Sequence, residues 1–271
     1  MNIIFPDLSS NIFKYGPVKN VKRTLKNLTI GFRPLKDFND INESDYRFVH
    51  YFKDRESWTR LTDPATDNAI HNAKKLIDTQ ISEYRVSCFS RLANISLMWS
   101  HYADEHKGVC YCFKPKSPEK IFHGQEMSWG SVVYSSQLPT LTVYQDHTRK
   151  NMLGAIASDV ILTKPIEWSY EEEVRCWTTA SSPAVSFEPT ALRAIIVGRR
   201  TSDPEIEHIK SNIDDFNHTH SKSVELWFSH RNPSSFALGV CNDKDFRNNS
   251  ETSISDRVPI LPSGDDSPLT S

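Results

Sequence analysis

Three consecutive glutamates, followed closely by an arginine, constrain this chain more than any other feature of its sequence. They lie in WSYEEEVR, residues 168–175, and the pattern predicts a strand over residues 172–178. Side chains alternate along a strand, so Glu171, Glu173 and Arg175 share one face, while Glu172 falls on the other and should be solvated. An unpaired buried carboxylate is costly, so the charged face lies either at an exposed edge or in a polar pocket. The pocket predicts a ligand site, and the alternative is an internal ion pair between Glu173 and Arg175.

The rest of the chain predicts one α+β domain with a polar tail. Apolar residues at helical spacing predict helices over residues 46–60, 67–82, 96–106 and 204–216, with short strands such as 84–90 and 109–113 between them. At 271 residues and 38% hydrophobic content, the chain can bury a core of ordinary size. We assign residues 1–247 to a single domain and residues 248–271, rich in Ser, Asp and Pro, to a disordered tail.

The composition of the chain and the absence of several short motifs give no support to a number of protein classes. The net charge of -2 gives no argument for nucleic-acid or membrane binding, although a local groove could still bind either. The five cysteines have no zinc-site or redox-pair spacing, which is typical of reduced thiols. No apolar run approaches the roughly 18 residues of a membrane span, so we expect a cytoplasmic protein without a membrane partner. No phosphate-binding loop, GxGxxG, HExxH or EF-hand pattern occurs, so metal catalysis has no support.

Two short segments near the N-terminus carry polar side chains that could serve a site. Lys14 and Tyr15 end a predicted strand, and the alternative is a surface lysine beside a half-buried tyrosine. Asn39 and Asp40 follow a strand that ends before a proline, and the alternative is that they only shape a turn.

A serine and a histidine in the middle of the chain form a third candidate. Ser90 ends a predicted strand, and the next helix places Met98, His101 and Tyr102 on one side. His101 and Ser90 could therefore meet over a sheet edge, although a lone histidine on such a helix more often packs structurally. A hydrolase pair is disfavoured because no GxSxG elbow surrounds Ser90.

These pieces together resemble the bacterial domain of unknown function family 2971. The most specific strings are MWSHYA, residues 98–103, and WSYEEEVR. The other matching pieces are FKY at 13–15, FND at 38–40 with Glu43, SCFS at 87–90, KG at 107–108, VY at 133–134, Lys164, and IVG at 196–198. Ile41 departs from the family pattern, which usually has a proline after Asn-Asp.

The order of the motifs is similar to that of ADP-ribosyltransferase-like folds, in which a small bent mixed or antiparallel sheet flanked by helices holds NAD. The resemblance implies an enzyme that cleaves NAD or transfers ADP-ribose to a protein or nucleic-acid acceptor, in bacterial conflict, as a toxin or in antiviral defence. Cleavage of the glycosidic bond passes through an oxocarbenium-like state, which a carboxylate holding a ribose hydroxyl can stabilise. Glu173 is the first candidate for that carboxylate and Glu171 the second.

The same resemblance implies the remaining roles. His101 would position the ribose or the acceptor. The residues implied to bind NAD or another nucleotide are Lys14, Tyr15, Asn39, Asp40, Ser90, Tyr170 and Arg175. Among these, Tyr15 or Tyr170 would stack on nicotinamide, and the charges of Lys14 and Arg175 would meet the diphosphate.

Two functions of other classes stay open. The first is a non-catalytic module that senses a nucleotide or binds a partner, for which a ligand stabilises the protein without turnover. The second is a metal-dependent nuclease, for which Asp40, Glu43, Glu171 and Glu173 surround a divalent ion and activity requires that ion.

Overall fold

A computed structural model describes residues 11–40, 42, 45–52, 64–114, 121–122, 127–144, 158–179 and 181–242. The predicted tail over residues 248–271 and the candidate Glu43 lie outside the described residues. In the part that is described, no helix is both long enough and apolar enough to cross a membrane.

The described elements alternate between short strands and helices. The helices are α1 (Val21–Asn27), α2 (Pro64–Glu83), α3 (Ser96–Tyr102) and α4 (Asp203–His220). The strands are β1 (Ile12–Gly16), β2 (Thr29–Gly31), β3 (Arg47–Phe52), β4 (Arg85–Ser90), β5 (Val109–Phe113), β6 (Ser128–Ser131), β7 (Val133–Ser135), β8 (Thr140–Tyr144), β9 (Thr163–Pro165), β10 (Glu173–Thr178), β11 (Ala184–Ser186), β12 (Leu192–Val197), β13 (Glu225–Arg231) and β14 (Leu238–Asn242).

One mixed sheet of eight strands organises the fold, in the order β14-β13-β12-β5-β1-β4-β10-β6. Strands β12 and β13 pair in parallel, and the other neighbours pair antiparallel. Ser90 of β4 pairs with Phe13 on one side and Glu173 on the other. The α+β class predicted from the sequence is therefore confirmed, and the predicted strand carrying Glu173 is an inner strand of the sheet.

Helices pack on both faces of this sheet. On one face, α1 and α4 bury Val21, Ile209 and Phe216 in the same cluster as Tyr111 and Ile195 of the sheet. On the other face, α3 buries Met98 and Trp99 with Phe13 and Ile196. Helix α4 begins at a capping box between Ser202 and Glu205, which satisfies N–H groups that a helix start otherwise leaves unpaired.

Two predicted helices differ from the structure. The helix predicted over residues 46–60 is wrong, because Arg47–Phe52 forms β3 and pairs in parallel with β8. Its aromatic and β-branched residues suit a strand once a partner is present, and that partner comes about 90 residues later in the chain. The helix predicted over residues 96–106 ends at Tyr102, because three left-handed residues follow. The helix predicted over residues 67–82 is confirmed within α2.

Candidate functional site

Glu173 and Arg175 lie on one face of β10, as strand alternation predicts, but Glu171 does not belong to that strand. Glu171 ends a 3-10 helix, Ile166–Glu171, and Glu172 follows with a left-handed φ of 46°. This turn separates the two buried carboxylates in the chain while keeping both beside β10. Glu172 is exposed, as predicted.

Four charged side chains form a buried, charge-balanced network, called here the ionic cluster: Lys164, Glu171, Glu173 and Arg175. Lys164 Nζ lies 2.6 Å from Glu171 Oε2 and 3.4 Å from Glu173 Oε2. Arg175 Nε donates to Glu173 Oε1 at 2.9 Å, and its Nη2 donates to Glu173 Oε2 at 3.2 Å. Arg175 is 0% exposed and the other three are at most 5% exposed. The internal ion pair proposed as the structural alternative is therefore present, as part of a larger network.

The surroundings shift the pKa values of the two carboxyl groups, Glu171 and Glu173, in opposite directions. Burial alone raises the pKa of Glu173, but Arg175 and Lys164 outweigh it and hold that pKa at about 2. Burial also raises the pKa of Glu171, and there Lys164 and Tyr102 offset only part of the effect. Carboxyl groups whose pKa values are driven apart are a recurring feature of acid–base sites, although structural ion networks produce the same effect.

Tyr102 connects the ionic cluster to the surface. Its hydroxyl donates to Glu171 Oε1 at 2.6 Å and accepts a hydrogen bond from Asn39 Nδ2 at 3.4 Å. Burial, together with the negative charge of Glu171, raises the pKa of Tyr102, so the phenol stays neutral. The ring is half-buried and Asn39 is exposed, so Tyr102 links the buried ionic cluster to an amide group at the surface.

Tyr102 and three neighbouring side chains form a group of rings that we call the aromatic rim. Its members are His101, Tyr102, Trp168 and Tyr170. The ring centroids of His101 lie 6.1 Å from Tyr102 and 6.4 Å from Trp168, and Trp168 lies 6.1 Å from Tyr170. Lys164 Nζ lies 4.6 Å from the Trp168 ring centroid. The rim therefore sits directly against the ionic cluster, with His101 exposed and the other three rings half-buried.

Ser90 and Tyr15 lie close to the ionic cluster but serve the backbone. Ser90 Oγ donates to the Glu171 carbonyl at 2.6 Å and accepts from Leu92 N at 3.1 Å. The Tyr15 hydroxyl donates to the Leu92 carbonyl at 2.8 Å, and its ring packs edge-on against Trp99. Ser90 is thus bonded to main-chain groups while His101 contacts rings, and Tyr15 is buried below the rim.

Asn39 reaches the site, whereas the carboxylate of Asp40 shapes the neighbouring turn. Asp40 Oδ1 accepts from the backbone N–H of Asn42 at 3.0 Å, which matches the turn proposed as the structural alternative. Among the described residues no group of three metal-ligating side chains comes together.

Lys14 lies on the opposite face of the sheet from Glu173 and Arg175. It pairs across strands with Tyr111, which belongs to the core cluster under α1 and α4. Its Nζ donates to the Cys88 carbonyl at 2.9 Å. Strands β1 and β4 pair at one position, Phe13 with Ser90, and Lys14 is the next residue of β1. The structure therefore does not bring Lys14 and Arg175, which were predicted to meet one diphosphate, to the same face of the sheet.

Four residues of the site were not among the predicted site residues. Tyr102 was recognised only as part of a helix face, and Lys164 and Trp168 only as parts of a motif. Tyr134 was recognised only as part of a family string, and its hydroxyl accepts a hydrogen bond from Glu173 N at 2.8 Å. Tyr134 and Lys164 come from β7 and β9, which pair with each other outside the large sheet, so strand periodicity within β10 could not reveal them.

A left-handed turn fixes the end of α3, and hence the position of Tyr102. Asp104, Glu105 and His106 have φ values of 48°, 53° and 70°. His106 N donates to the Trp99 carbonyl at 3.1 Å, and Arg200 N donates to the His106 carbonyl at 2.9 Å. A Cβ added to Gly198 would lie 2.2 Å from that carbonyl oxygen, so only glycine permits this close approach.

Comparison with known proteins gives a family without an assigned activity. The model of the family DUF2971, described as a protein of unknown function, matches residues 98–176. The family predicted from MWSHYA and WSYEEEVR is therefore the one whose model matches, and the matched segment contains Tyr102 and the whole ionic cluster. No curated protein and no solved structure matches the chain.

Proposed function

We propose that this DUF2971 segment binds a nucleotide, with NAD as the first ligand to test, at the aromatic rim above the ionic cluster. The observation that carries the proposal is the Tyr102 hydroxyl, which is held at 2.6 Å by a buried carboxylate and lies among side chains that stack well on bases. Aromatic rings offer flat apolar area to a base and discriminate little between bases. The exposed amide of Asn39, beside Tyr102, adds one donor and one acceptor group.

The saturation of the ionic cluster favours binding over turnover. Glu173 accepts two hydrogen bonds from Arg175 and one from Lys164, and it is 4% exposed. A ribose hydroxyl would reach Glu171 most directly by displacing the Tyr102 hydroxyl from Oε1. The carboxylates thus support the site by fixing Tyr102, because a side chain held by buried partners loses less entropy when it binds a ligand.

The second candidate is cleavage of NAD, and the raised pKa of Glu171 favours it. In that reaction the bond between nicotinamide and ribose breaks, nicotinamide leaves with the bonding electron pair, and water adds to the ribose carbon. In this candidate reaction Glu171, whose pKa is raised and which contacts Tyr102, takes up the proton that water releases. Glu173 fits this role less well because its two cationic partners lower its basicity. Consumption of NAD would also be the route to a toxin or antiviral role.

Thermal unfolding with nucleotides separates these candidates. We expect NAD at ten times its Kd to stabilise the purified full chain by about 1.4 kcal/mol, a Tm rise of a few degrees. The Tyr102→Phe variant should lose most of that rise. The matched control is Tyr46→Phe, which removes a tyrosine hydroxyl bonded to Asp78 away from the site and should respond as the unmodified protein does.

Nicotinamide release, measured by chromatography in the same samples, decides between binding and turnover. NAD-dependent stabilisation without release supports the binding module. Release that Glu171→Gln abolishes supports cleavage. The absence of both, with AMP and ADP-ribose also failing to stabilise the protein, would refute a nucleotide site at the rim.

A further inference from the structure

The face of the sheet opposite the ionic cluster carries a row of unsatisfied polar groups. Cys176 of β10 pairs with Ser87 of β4 on one side and with Trp129 of β6 on the other. Directly opposed residues point to the same face of a sheet, so the three side chains are neighbours. Ser87 Oγ and Trp129 Nε1 are both buried, and neither has a hydrogen-bond partner within the part of the chain that the structure describes.

Lys14 adds a positive charge beside this row. Its Nζ contacts the carbonyl of Cys88, the residue after Ser87, and lies 5.4 Å from the centroid of the Phe89 ring. Lys14 is close enough to Cys176 for its charge to affect the pKa of that thiol. Across the described ranges, no carboxylate lies within ion-pair distance of Lys14. Burial lowers the pKa of its ammonium group, and the charge of Glu173, which acts on it from beyond ion-pair distance, offsets only part of that effect.

Aromatic rings border the same place. Phe89 and Trp129 have centroids 5.5 Å apart, and Trp129 stacks on Phe122 at 5.9 Å with an interplanar angle of 28°. Phe89 and Phe122 belong to the core, whereas Trp129 and Lys14 are only half-buried. The polar groups therefore lie against an apolar wall, and two side chains at this place, Trp129 and Lys14, are partly exposed.

We infer that Lys14, Ser87 and Trp129, with the rings of Phe89 and Phe122, form a second site, which binds a small aromatic carboxylate. We call this set the reverse-face cluster. An ammonium group and an indole N–H can only donate hydrogen bonds, so the ligand must offer acceptors. The unpaired positive charge selects a negative group, and the rings select a flat apolar body. A water molecule could satisfy the hydroxyl and the indole but would leave Lys14 without an ion-pair partner.

The reverse-face cluster is independent of the proposed nucleotide site. Its side chains point away from Glu173 and Arg175, because Ser87, Cys176 and Trp129 alternate with residues that face the ionic cluster. A failure of NAD to bind at the aromatic rim therefore leaves this inference intact, and the reverse also holds.

The test compares three probes on the full chain: benzoate, benzyl alcohol, which has the ring without the charge, and acetate, which has the charge without the ring. We expect benzoate to raise Tm and to shift the NMR signal of the Trp129 indole N–H, and the other two to do neither at the same concentration. Lys14→Met should weaken benzoate binding by about tenfold or more, since it removes a hydrogen bond to a charged group. The matched control Lys19→Met removes an exposed lysine and should bind normally.

Ser87→Ala should weaken benzoate binding severalfold with little effect on folding, and it serves as the second variant if Lys14→Met unfolds. Equal effects of benzoate and acetate would refute the site, as would an unchanged Kd in both Lys14→Met and Ser87→Ala. An indole N–H signal unmoved by benzoate would indicate that water alone occupies the reverse-face cluster and would also overturn the inference.

Discussion

Replacing each buried glutamate with glutamine should reveal that the two carboxylates contribute oppositely to stability. Glu171→Gln and Glu173→Gln remove the same charge from the same ionic cluster, so each is the control for the other. The pKa of Glu173 falls from its ordinary 4.5 to about 2 in the folded protein. Each pKa unit corresponds to about 1.4 kcal/mol, so ionised Glu173 stabilises the fold by about 3 kcal/mol at neutral pH.

Ionisation of Glu171 has the opposite effect on the stability of the fold. Its pKa is raised, so the folded protein holds a proton there more tightly than the unfolded chain does. Stability is therefore lost as pH rises from about 4.5 through the folded pKa of Glu171. Glu171→Gln removes that unfavourable ionisation, although it also weakens the contact with Lys164. We expect Glu173→Gln to destabilise the protein by about 3 kcal/mol at pH 7, and Glu171→Gln to destabilise it clearly less.

Urea unfolding of both variants and the unmodified protein, from pH 7 to pH 2.5, measures these differences. The deficit of Glu173→Gln should shrink as pH falls from about 4.5 towards 2, because the unmodified protein then loses the same ionisation. At pH 7 the deficit should appear as a drop in Tm of about 6–12 °C. Equal destabilisation by the two variants, or a deficit of Glu173→Gln that does not change with pH, would refute the assignment of opposite roles.

Three further variants test the surroundings of the site. Tyr102→Phe removes the hydroxyl that donates to buried Glu171, so we expect a loss of about 1–3 kcal/mol in urea unfolding and a higher pKa for Glu171 by NMR titration. Gly198→Ala places a methyl group 2.2 Å from a carbonyl oxygen and should cost about 1–3 kcal/mol, whereas Gly31→Ala, with nothing within 4 Å, should leave Tm nearly unchanged. Ser202→Ala removes the α4 capping box and should cost about 1 kcal/mol in thermal unfolding, with a result near zero contradicting the cap.

Local periodicity predicted the parts of the fold and site that lie within one element. Alternation in β10 placed Glu173 and Arg175 together, and helical spacing gave α2, because both patterns repeat over a few residues. Lys14 shows the limit of the method. Strand alternation predicts that Lys14 and its neighbour Tyr15 point to opposite faces of the sheet. Only the pairing of β1 with β4 and β5 shows which of these two residues lies on the same face as the ionic cluster.

Contacts between different elements could not be predicted in the same way, whether the elements are adjacent in the chain or far apart. Lys164 reaches Glu171 from β9, and β3 depends on pairing with β8, so both require the three-dimensional arrangement of segments that have no shared sequence pattern. Tyr102 was within reach of sequence reasoning, because the helix face containing His101 also contains it. The sequence offered no signal that its hydroxyl, rather than the imidazole of His101, would meet a carboxylate.

The left-handed turn after α3 supports the view that the position of Tyr102 matters to this protein. A residue other than glycine in this conformation costs about 1–2 kcal/mol, and three occur in succession from Asp104 to His106. The turn is held by backbone hydrogen bonds to Trp99 and Arg200 and packs closely against the bare backbone of Gly198. A plain surface loop would relax such strain, whereas a segment that holds a binding residue in place can retain it. Since the turn begins directly after Ala103, the residue it fixes most closely among the rim side chains is Tyr102, the one bonded to the ionic cluster.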